Sequence, residues 1–430
     1  MKIPDFKIVT SVEEALRVVD ELGFPVLVRP SYVLGGRAMA VVESKKDLVE
    51  YVSQAALVSQ GHPLVLDKFL EDAIELDVDL VCDGESVWIA GLMEQIEEAG
   101  IHSGDSACVL PPVSLSDNLI DRIEDVVFKL VKGMKIVGPA NVQLAIKDEE
   151  IYVIELNPRV SRTFPFVSKA IGIAVAEIAA KVLIGKKLID LLKPYFPYKT
   201  RKVFSKDLSD FRGGLIPTPW PPYYSVKEVV IPFHKFLNVD TLLGPEMRST
   251  GEVMGIGETF AETFGKAQLA ADNYFPTKGV LVSVRDRDKR EIVPLVSYLY
   301  DLGFEVYATN GTAKALRAAG IPAIAVPKVG EGRPDVVDLI DQHKVDLVVI
   351  TQSNERTDEI HEIDPEAKAP LSFDSRRTVG YKIRTGALRN RIPCITTIEA
   401  FRAMVSAVRQ SRLSDLKVRS LKELHALNFY

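Results

Sequence analysis

Apolar residues in SVEEALRVVDELG recur at helical spacing, with Ser11 placed to cap the first turn and Gly23 to stop the last. FPVLVRP then reads as a short strand, Gly35 and Gly36 as a turn, AMAVVES as the return strand and KKDLVEYVSQAALVS as the next helix. PLVLDKFL, ELDVDLVCDG and SVWIAGLMEQI alternate or run apolar over strand lengths. DNLIDRIEDVVFKLVKGM predicts a strongly periodic helix, and ANVQLAIKD and EIYVIELN predict two strands joined by a polar turn at Asp148–Glu149. PFVSKAIGIAVAEIAAKVLIG is apolar almost all round and predicts one long core helix ending at Gly185.

The pattern changes twice. Between 186 and 270, prolines and aromatics cluster in KPYFPYKT and GLIPTPWPPYY, which excludes long helices and leaves one strand, at SVKEVVIPF. From 271 onward, short β-branched runs (GVLVSV, FEVYAT, AIAVP, DLVVIT, CITT) alternate with helical segments. That alternation predicts a doubly wound parallel sheet with ligands at its strand carboxyl ends. The expected architecture is therefore multidomain, α/β and α+β, with units at 1–185, 186–270 and 271–430. A length of 430 residues fits two or three domains at roughly 100–200 residues each.

Composition narrows the function. With 47% hydrophobic residues, 26% charged residues and a net charge of −6, the chain is globular, and nothing global recruits nucleic acid or an acidic membrane. Cys82, Cys108 and Cys394 form no C-x-x-C pair, which argues against a disulfide framework or structural zinc and fits a reducing cytoplasm. No leading signal segment is evident, and no apolar run approaches the ~18 residues a membrane span needs.

Three constellations carry chemistry. In EIYVIELNPRVSRT, Glu155 and Asn157 lie two apart and share a strand face, and the neighbouring strand adds Gln143. Three oxygen donors on one hairpin face suit a hard cation completed by phosphate oxygens, with Arg159 and Arg162 near enough to neutralise a transferred phosphoryl group. An ordinary surface hairpin capped by ion pairs fits the pattern as well. In VLVRPSYVLGGRAM, Arg29, Arg37 and the glycine pair suit a phosphate-gripping hairpin or a plain glycine turn. EAGIHSGDSACVLPP places His102, Ser103, Asp105 and Ser106 on a glycine-flanked loop, but no G-x-S-x-G elbow, P-loop or G-x-G-x-x-G fingerprint occurs.

RPSYVLGGRAM, GIHSGDSA, NVQLAI, IELNPRVSRTFPFVSKAIG, PYYSVKEVVIPF and GPEMRSTGEVMG together resemble the carboxyl-terminal half of the carbamoyl phosphate synthetase large subunit, over nearly the whole chain. The resemblance implies an ATP-grasp domain followed by a methylglyoxal-synthase-like regulatory domain. It implies Mg2+ or Mn2+, two ions, on Gln143, Glu155 and Asn157, with ATP as substrate. It further implies nucleotide contacts from Arg29, Lys68, Leu70, Glu75, Gly100, Ile101, His102 and Ser103, and catalytic charge stabilisation by Arg159 and Arg162. Family members often carry histidine where Lys68 stands. The implied reaction is attack of carbamate on the γ-phosphorus of MgATP, in partnership with an amino-terminal section and a glutamine amidotransferase chain, for arginine and pyrimidine biosynthesis. Lys289, Thr309, Thr312 and Lys328 match positions that hold the phosphate of an effector such as UMP or IMP.

Two departures qualify this expectation. The chain opens at MKIPDFKIVT, where the family would just have finished a preceding small α/β domain, so a piece of a split or shortened subunit is expected. After LVVIT, the family's Asn-Thr signature gives way to a long acidic loop over 354–377, and 204–221 carries extra length. The rival readings are a non-catalytic nucleotide-sensing subunit with a degenerate ATP site, and an ATP-grasp ligase joining a carboxylate to an amine. The intact Gln143, Glu155 and Asn157 favour the enzyme.

Overall fold

In the computed structural model, which describes residues 1–31, 35–59, 62–202, 207–231, 240–351, 379–413 and 416–429, β1 (Phe6–Val9) leads into α1 (Val12–Leu22). Ser11 Oγ accepts the Glu14 N–H at 3.1 Å and Gly23, at φ +70°, ends the helix, as the sequence predicts. Next come β2 (Val26–Pro30), β3 (Ala40–Val42), α2 (Lys45–Val58) and β4 (Leu64–Lys68). These strands form an antiparallel sheet in the order β1-β4-β2-β3. Alternation turns Val26, Val28, Leu64 and Leu66 inward, where they pack with residues of both helices.

A larger sheet forms the centre. Its early elements are β5 (Ile74–Asp83), β6 (Val87–Gln95), β7 (Cys108–Leu110), α3 (Asp117–Gly133), β8 (Val137–Lys147) and β9 (Glu150–Asn157). The predicted turn joins β8 to β9, with Asp148 at φ +52° and Glu149 at φ +60°, the left-handed pair that a tight two-residue hairpin needs. The core helix expected over 165–185 is two helices, α4 (Phe164–Ile171) and α5 (Val175–Leu183), because Gly172 at φ +76° caps the first in the left-handed region. Periodicity continues across that break, which is why pattern alone fused them.

After α6 (Leu188–Leu192), the described residues of the stretch expected to hold one strand hold three: β10 (Leu215–Ile216), β11 (Tyr224–Val230) and β12 (Gly251–Gly257). All three join the central sheet, ordered β12-β11-β7-β6-β5-β8-β9 with β10 parallel beside β6. Helix α3 covers one face, burying Ile120, Ile123 and Val127 against Leu76, Val78 and Leu80. Helices α4, α5 and α6 cover part of the other, against Val81, Trp88 and Ala90.

Beyond α7 (Phe260–Ala270) come β13 (Gly279–Ser283), α8 (Lys289–Asp301), β14 (Glu305–Thr309), α9 (Asn310–Ala318), β15 (Ile324–Val326), α10 (Val336–Asp341) and β16 (Leu347–Ile350). The chain continues with α11 (Val379–Arg389), β17 (Cys394–Ile395), α12 (Ile398–Leu413) and α13 (Leu421–Asn428). The sheet is parallel throughout, ordered β15-β14-β13-β16-β17 and helix-covered on both faces, which is the doubly wound arrangement expected. The acidic loop 354–377 lies outside the described residues. Burial pushes the Cys108 and Cys394 thiols up to about 12, so both stay protonated. No described helix is long and apolar enough to cross a membrane.

Candidate active site

The central sheet changes character along one face. Odd-numbered residues of β5 run from apolar Val81, packed under α5, to Asp79, Asp77 and Glu75. Across the register lie Asn141 opposite Asp79 and Gln143 opposite Asp77. On β9, Glu155 stands opposite Gln143 and Asn157 opposite Asn141. A bulge makes this possible. Ile151 and Val153 face the α3 core, so strict alternation would send Glu155 and Asn157 there too. The register shift at Gln143/Leu144 leaves Ile154 as an extra, exposed residue and returns Glu155 and Asn157 to the site face.

Three predicted ligands are thus on one face of neighbouring strands. Gln143 Nε2 donates to Ser103 Oγ at 3.0 Å, which leaves its Oε1 as an acceptor. Glu155 is exposed and makes no hydrogen bond or ion pair among the described residues. Nor do any three His, Cys, Asp or Glu side chains among those residues gather as a metal cage. One carboxylate and two amide oxygens fit a hard cation whose remaining ligands are anionic oxygens from a bound molecule.

The loop between β6 and β7 lies alongside. Ile101 is buried. Glu75 accepts the Gly100 N–H at 3.1 Å, and burial lifts its carboxyl to about 7. His102 Nδ1 accepts the Gly104 N–H at 3.0 Å, so a proton on this ring sits on Nε2; burial lowers its pKa, against the pull of Asp105, Asp77 and Glu155. That leaves a neutral ring with Nε2–H as its donor. Arg162 also lies beside Gly104, where a Cβ would stand 3.1 Å from His102 Nδ1 and 3.3 Å from Arg162 Nη1, and it donates to Ser249 Oγ at 3.0 Å. Arg159 is exposed and folds back on the Val160 carbonyl at 3.3 Å.

The remaining predicted contacts are more dispersed. Arg29 is half-exposed and paired with Asp67 through two hydrogen bonds of 3.1 Å. Lys68 turns its ammonium to the carbonyls of Gly23 and Phe24, at 3.1 and 2.9 Å, and Leu70 follows just past β4. In the C-terminal sheet, Thr309 and Thr312 are buried at the carboxyl end of β14, their hydroxyls 3.4 Å apart. Lys289 pairs with Asp286 over Gly311, and Lys328 is exposed in the loop after β15.

Several groups escaped the sequence reading. Asp79 accepts from Thr163 Oγ1 at 2.6 Å, Ser161 Oγ at 2.8 Å and Asn141 Nδ2 at 2.9 Å, so it pegs the loop that carries Arg159 and Arg162. Asp77 takes Asn141 at 3.0 Å and also Gln95. Lys227 on β11 is 1% exposed and donates to the Ser103 carbonyl at 2.9 Å. The signal was available in ELDVD, where acids alternate with apolar residues over a strand length.

Residues 2–191 match the family described as carbamoyl-phosphate synthase L chain, ATP binding domain, and residues 291–396 match the MGS-like domain. The chain is 64% identical, over 99% of its length, to the carbamoyl phosphate synthase large chain of Pseudothermotoga lettingae, and covers 38% of that relative. It is 48% identical, over 96% of its length, to the carbamoyl phosphate synthase large chain, C-terminal section, of Methanocaldococcus jannaschii, and covers 62% of it.

The chain belongs to the carbamoyl phosphate synthase large-chain family.

It corresponds to the C-terminal section, with an ATP-grasp unit and an MGS-like unit, as the sequence resemblance implied. A third large chain, from Vibrio cholerae, is 44% identical over 99% of this chain, which again spans only 36% of that relative.

Proposed function

We propose that this C-terminal section phosphorylates carbamate: a carbamate oxygen attacks the γ-phosphorus of ATP, the bond to the β,γ-bridging oxygen breaks, and carbamoyl phosphate and ADP form. The observation that carries the reading is the bulge at Ile154, which sets Glu155 opposite Gln143 and Asn157 beside them on the face that also holds the His102 loop.

Gln143, Glu155 and Asn157 would hold Mg2+ or Mn2+, which when bound neutralises phosphate charge. Around it the chain's own groups have separate tasks. Arg162 is held near Gly104 by Ser249, and Arg159 is free to swing, so both guanidiniums can meet charge on the moving phosphoryl group. Neutral His102 offers Nε2–H without adding a charge. Arg29 reaches a phosphate only by exchanging Asp67 for it, and Lys68 reaches the nucleotide only by leaving the Gly23 and Phe24 carbonyls. Glu75, Gly100, Ile101 and Leu70 complete the nucleotide side.

In this proposal the units run over 1–185, 186–270 and 271–430, with the strands of the middle segment built into the first unit's sheet. The partners are an amino-terminal section and a glutamine amidotransferase chain, which serve arginine and pyrimidine synthesis. UMP or IMP would place its phosphate at Lys289, Thr309, Thr312 and Lys328, displacing Asp286 from Lys289.

The test is the reverse reaction, with MgADP and carbamoyl phosphate supplied and ATP measured, the chain being assayed alone and with its partner chains. Glu155→Ala should cost at least ~100-fold in kcat while the melting temperature holds. Undiminished ATP formation in that variant would remove the hairpin from the reaction.

A further inference from the structure

Residues 240–249 form no helix or strand, yet they touch separate parts of the candidate site. Met247 N–H donates to the Gly35 carbonyl at 3.0 Å, and the Gly244 carbonyl accepts the His102 N–H at 2.8 Å. Asp105 takes the backbone N–H groups of Arg248 and Ser249 at 2.6 and 2.7 Å. Ser249 Oγ receives Arg162 at 3.0 Å. Arg248 folds back on the strap itself, donating to the carbonyls of Asp240 and Leu242 at 2.9 and 3.2 Å. The glycine turn, the His102 loop and a phosphate-side arginine therefore all register on one irregular segment.

The leading end of that strap is fixed from the other unit. Asp240 accepts Nε and Nη2 of Arg384, on α11, at 2.7 and 2.6 Å. The two side chains are 4% and 10% exposed. Burying such a pair costs desolvation that an apolar pair of equal volume avoids, so stability is a poor reason for it. What a guanidinium fork adds is direction, since it donates to a carboxylate in one plane through two parallel bonds. Its root lies at the carboxyl edge of the C-terminal sheet: a Cβ on Gly380 would stand 2.9 Å from Arg384 Nη1 and 3.6 Å from Ile350 at the end of β16.

We infer that Arg384 is a positioning residue for the ATP-grasp site, acting through Asp240: it sets the strap, and the strap sets the Gly35–Gly36 turn, the His102 loop and Arg162. The C-terminal unit thereby holds the reacting end of the other unit at a defined point. The kinetic part of this inference rests on the proposed reaction; the mechanical part does not.

The test compares the full chain with Arg384→Gln and Arg384→Lys by hydrogen exchange over peptides covering 240–250, and by ATP formation from MgADP and carbamoyl phosphate with the partner chains present. Release of the strap should speed exchange at Met247, Arg248 and Ser249 at least ~10-fold, and misplacement should lower kcat about 10-fold with the KM for MgADP changed less than about threefold. Lysine keeps the charge but loses the fork, so it should not rescue. Unchanged exchange, rescue by lysine, or an unchanged kcat would overturn the inference. Should the single variants fail to fold, Asp240→Asn combined with Arg384→Gln removes both charges and carries the same comparison. If the unmodified chain forms no ATP with any partner, the proposed reaction fails and the exchange data alone decide the tether.

Discussion

Asp79 is fully buried, hydrogen-bonded by three neutral donors, and pushed up to about 7 by that burial. Its folded pKa therefore lies above the ordinary 3.8, so its contribution to stability is fully present below about pH 4 and is lost as pH rises through about 7. Asparagine resembles the protonated acid but never ionises. The unfolding free energy of Asp79→Asn, relative to the unmodified chain, should accordingly improve by at least ~1 kcal/mol between pH 5 and pH 8 in urea titrations. A difference that stays flat would mean the carboxyl is ionised throughout. In the same variant one of the two hydroxyl tethers to Ser161 and Thr163 weakens, so Arg159 and Arg162 lose register and kcat should fall about 10-fold. None of this could be read from the residue alone: ELDVD shows acids on one strand face, but not that Thr163, eighty-four positions away, closes over one of them.

Among the elements, what was legible followed from periodicity and caps, and what was not followed from interruptions that periodicity ignores. Ser11, Gly23 and the Asp148–Glu149 turn announced themselves by residue type. The bulge at Ile154 did not, because IYVIELN reads equally well as an unbroken strand whose alternation would bury the glutamate. Gly172 was hidden in the same way inside a long apolar run. The strands β10 and β12 were obscured by the prolines and glycines around them, and pairing with β6 and β11 overrode that local composition. The glycine pair was recognisable as a close-approach site, but its partner was not. Gly36 sits at φ +69°, and a Cβ there would lie 1.9 Å from the Pro245 carbonyl oxygen, a backbone atom with no rotamer to yield. Gly36→Ala should lift the turn off the strap, lowering kcat/KM for MgADP about 10-fold with little change in melting temperature, since no core residue moves. Full activity in this variant would show that the turn need not rest on Pro245 during turnover.

For the whole molecule, the decisive feature is a core that crosses the boundary between the two sheets. Ile96, just past β6, and Val109 and Val226 of the central sheet pack in one cluster with Phe264 of α7, Val280 and Val282 of β13, and Phe401 and Met404 of α12. Linked domains that meet through a small polar interface move freely; a shared apolar core removes that freedom. It also gives the Arg384–Asp240 pair a rigid base, because α11 belongs to a sheet already locked to β11 through these residues. Removing residues 274–430 would take β13, α8 and α12 out of the cluster that holds Ile96, Val109, Val226 and Phe264, leaving α7 alone over it. At ~1.5–3 kcal/mol per buried apolar side chain, the loss is of the order of a whole domain's stability of ~5–15 kcal/mol. The fragment 1–273 should therefore aggregate or bind ANS, without a cooperative thermal transition. Replacing Ile96, Val109 and Val226 by threonine, serine or glutamine in that fragment should recover some solubility by covering the bared face with polar groups. A soluble, cooperatively melting 1–273 with native surface hydrophobicity would mean that the central sheet closes its own core, and that the C-terminal unit rests on it rather than completing it.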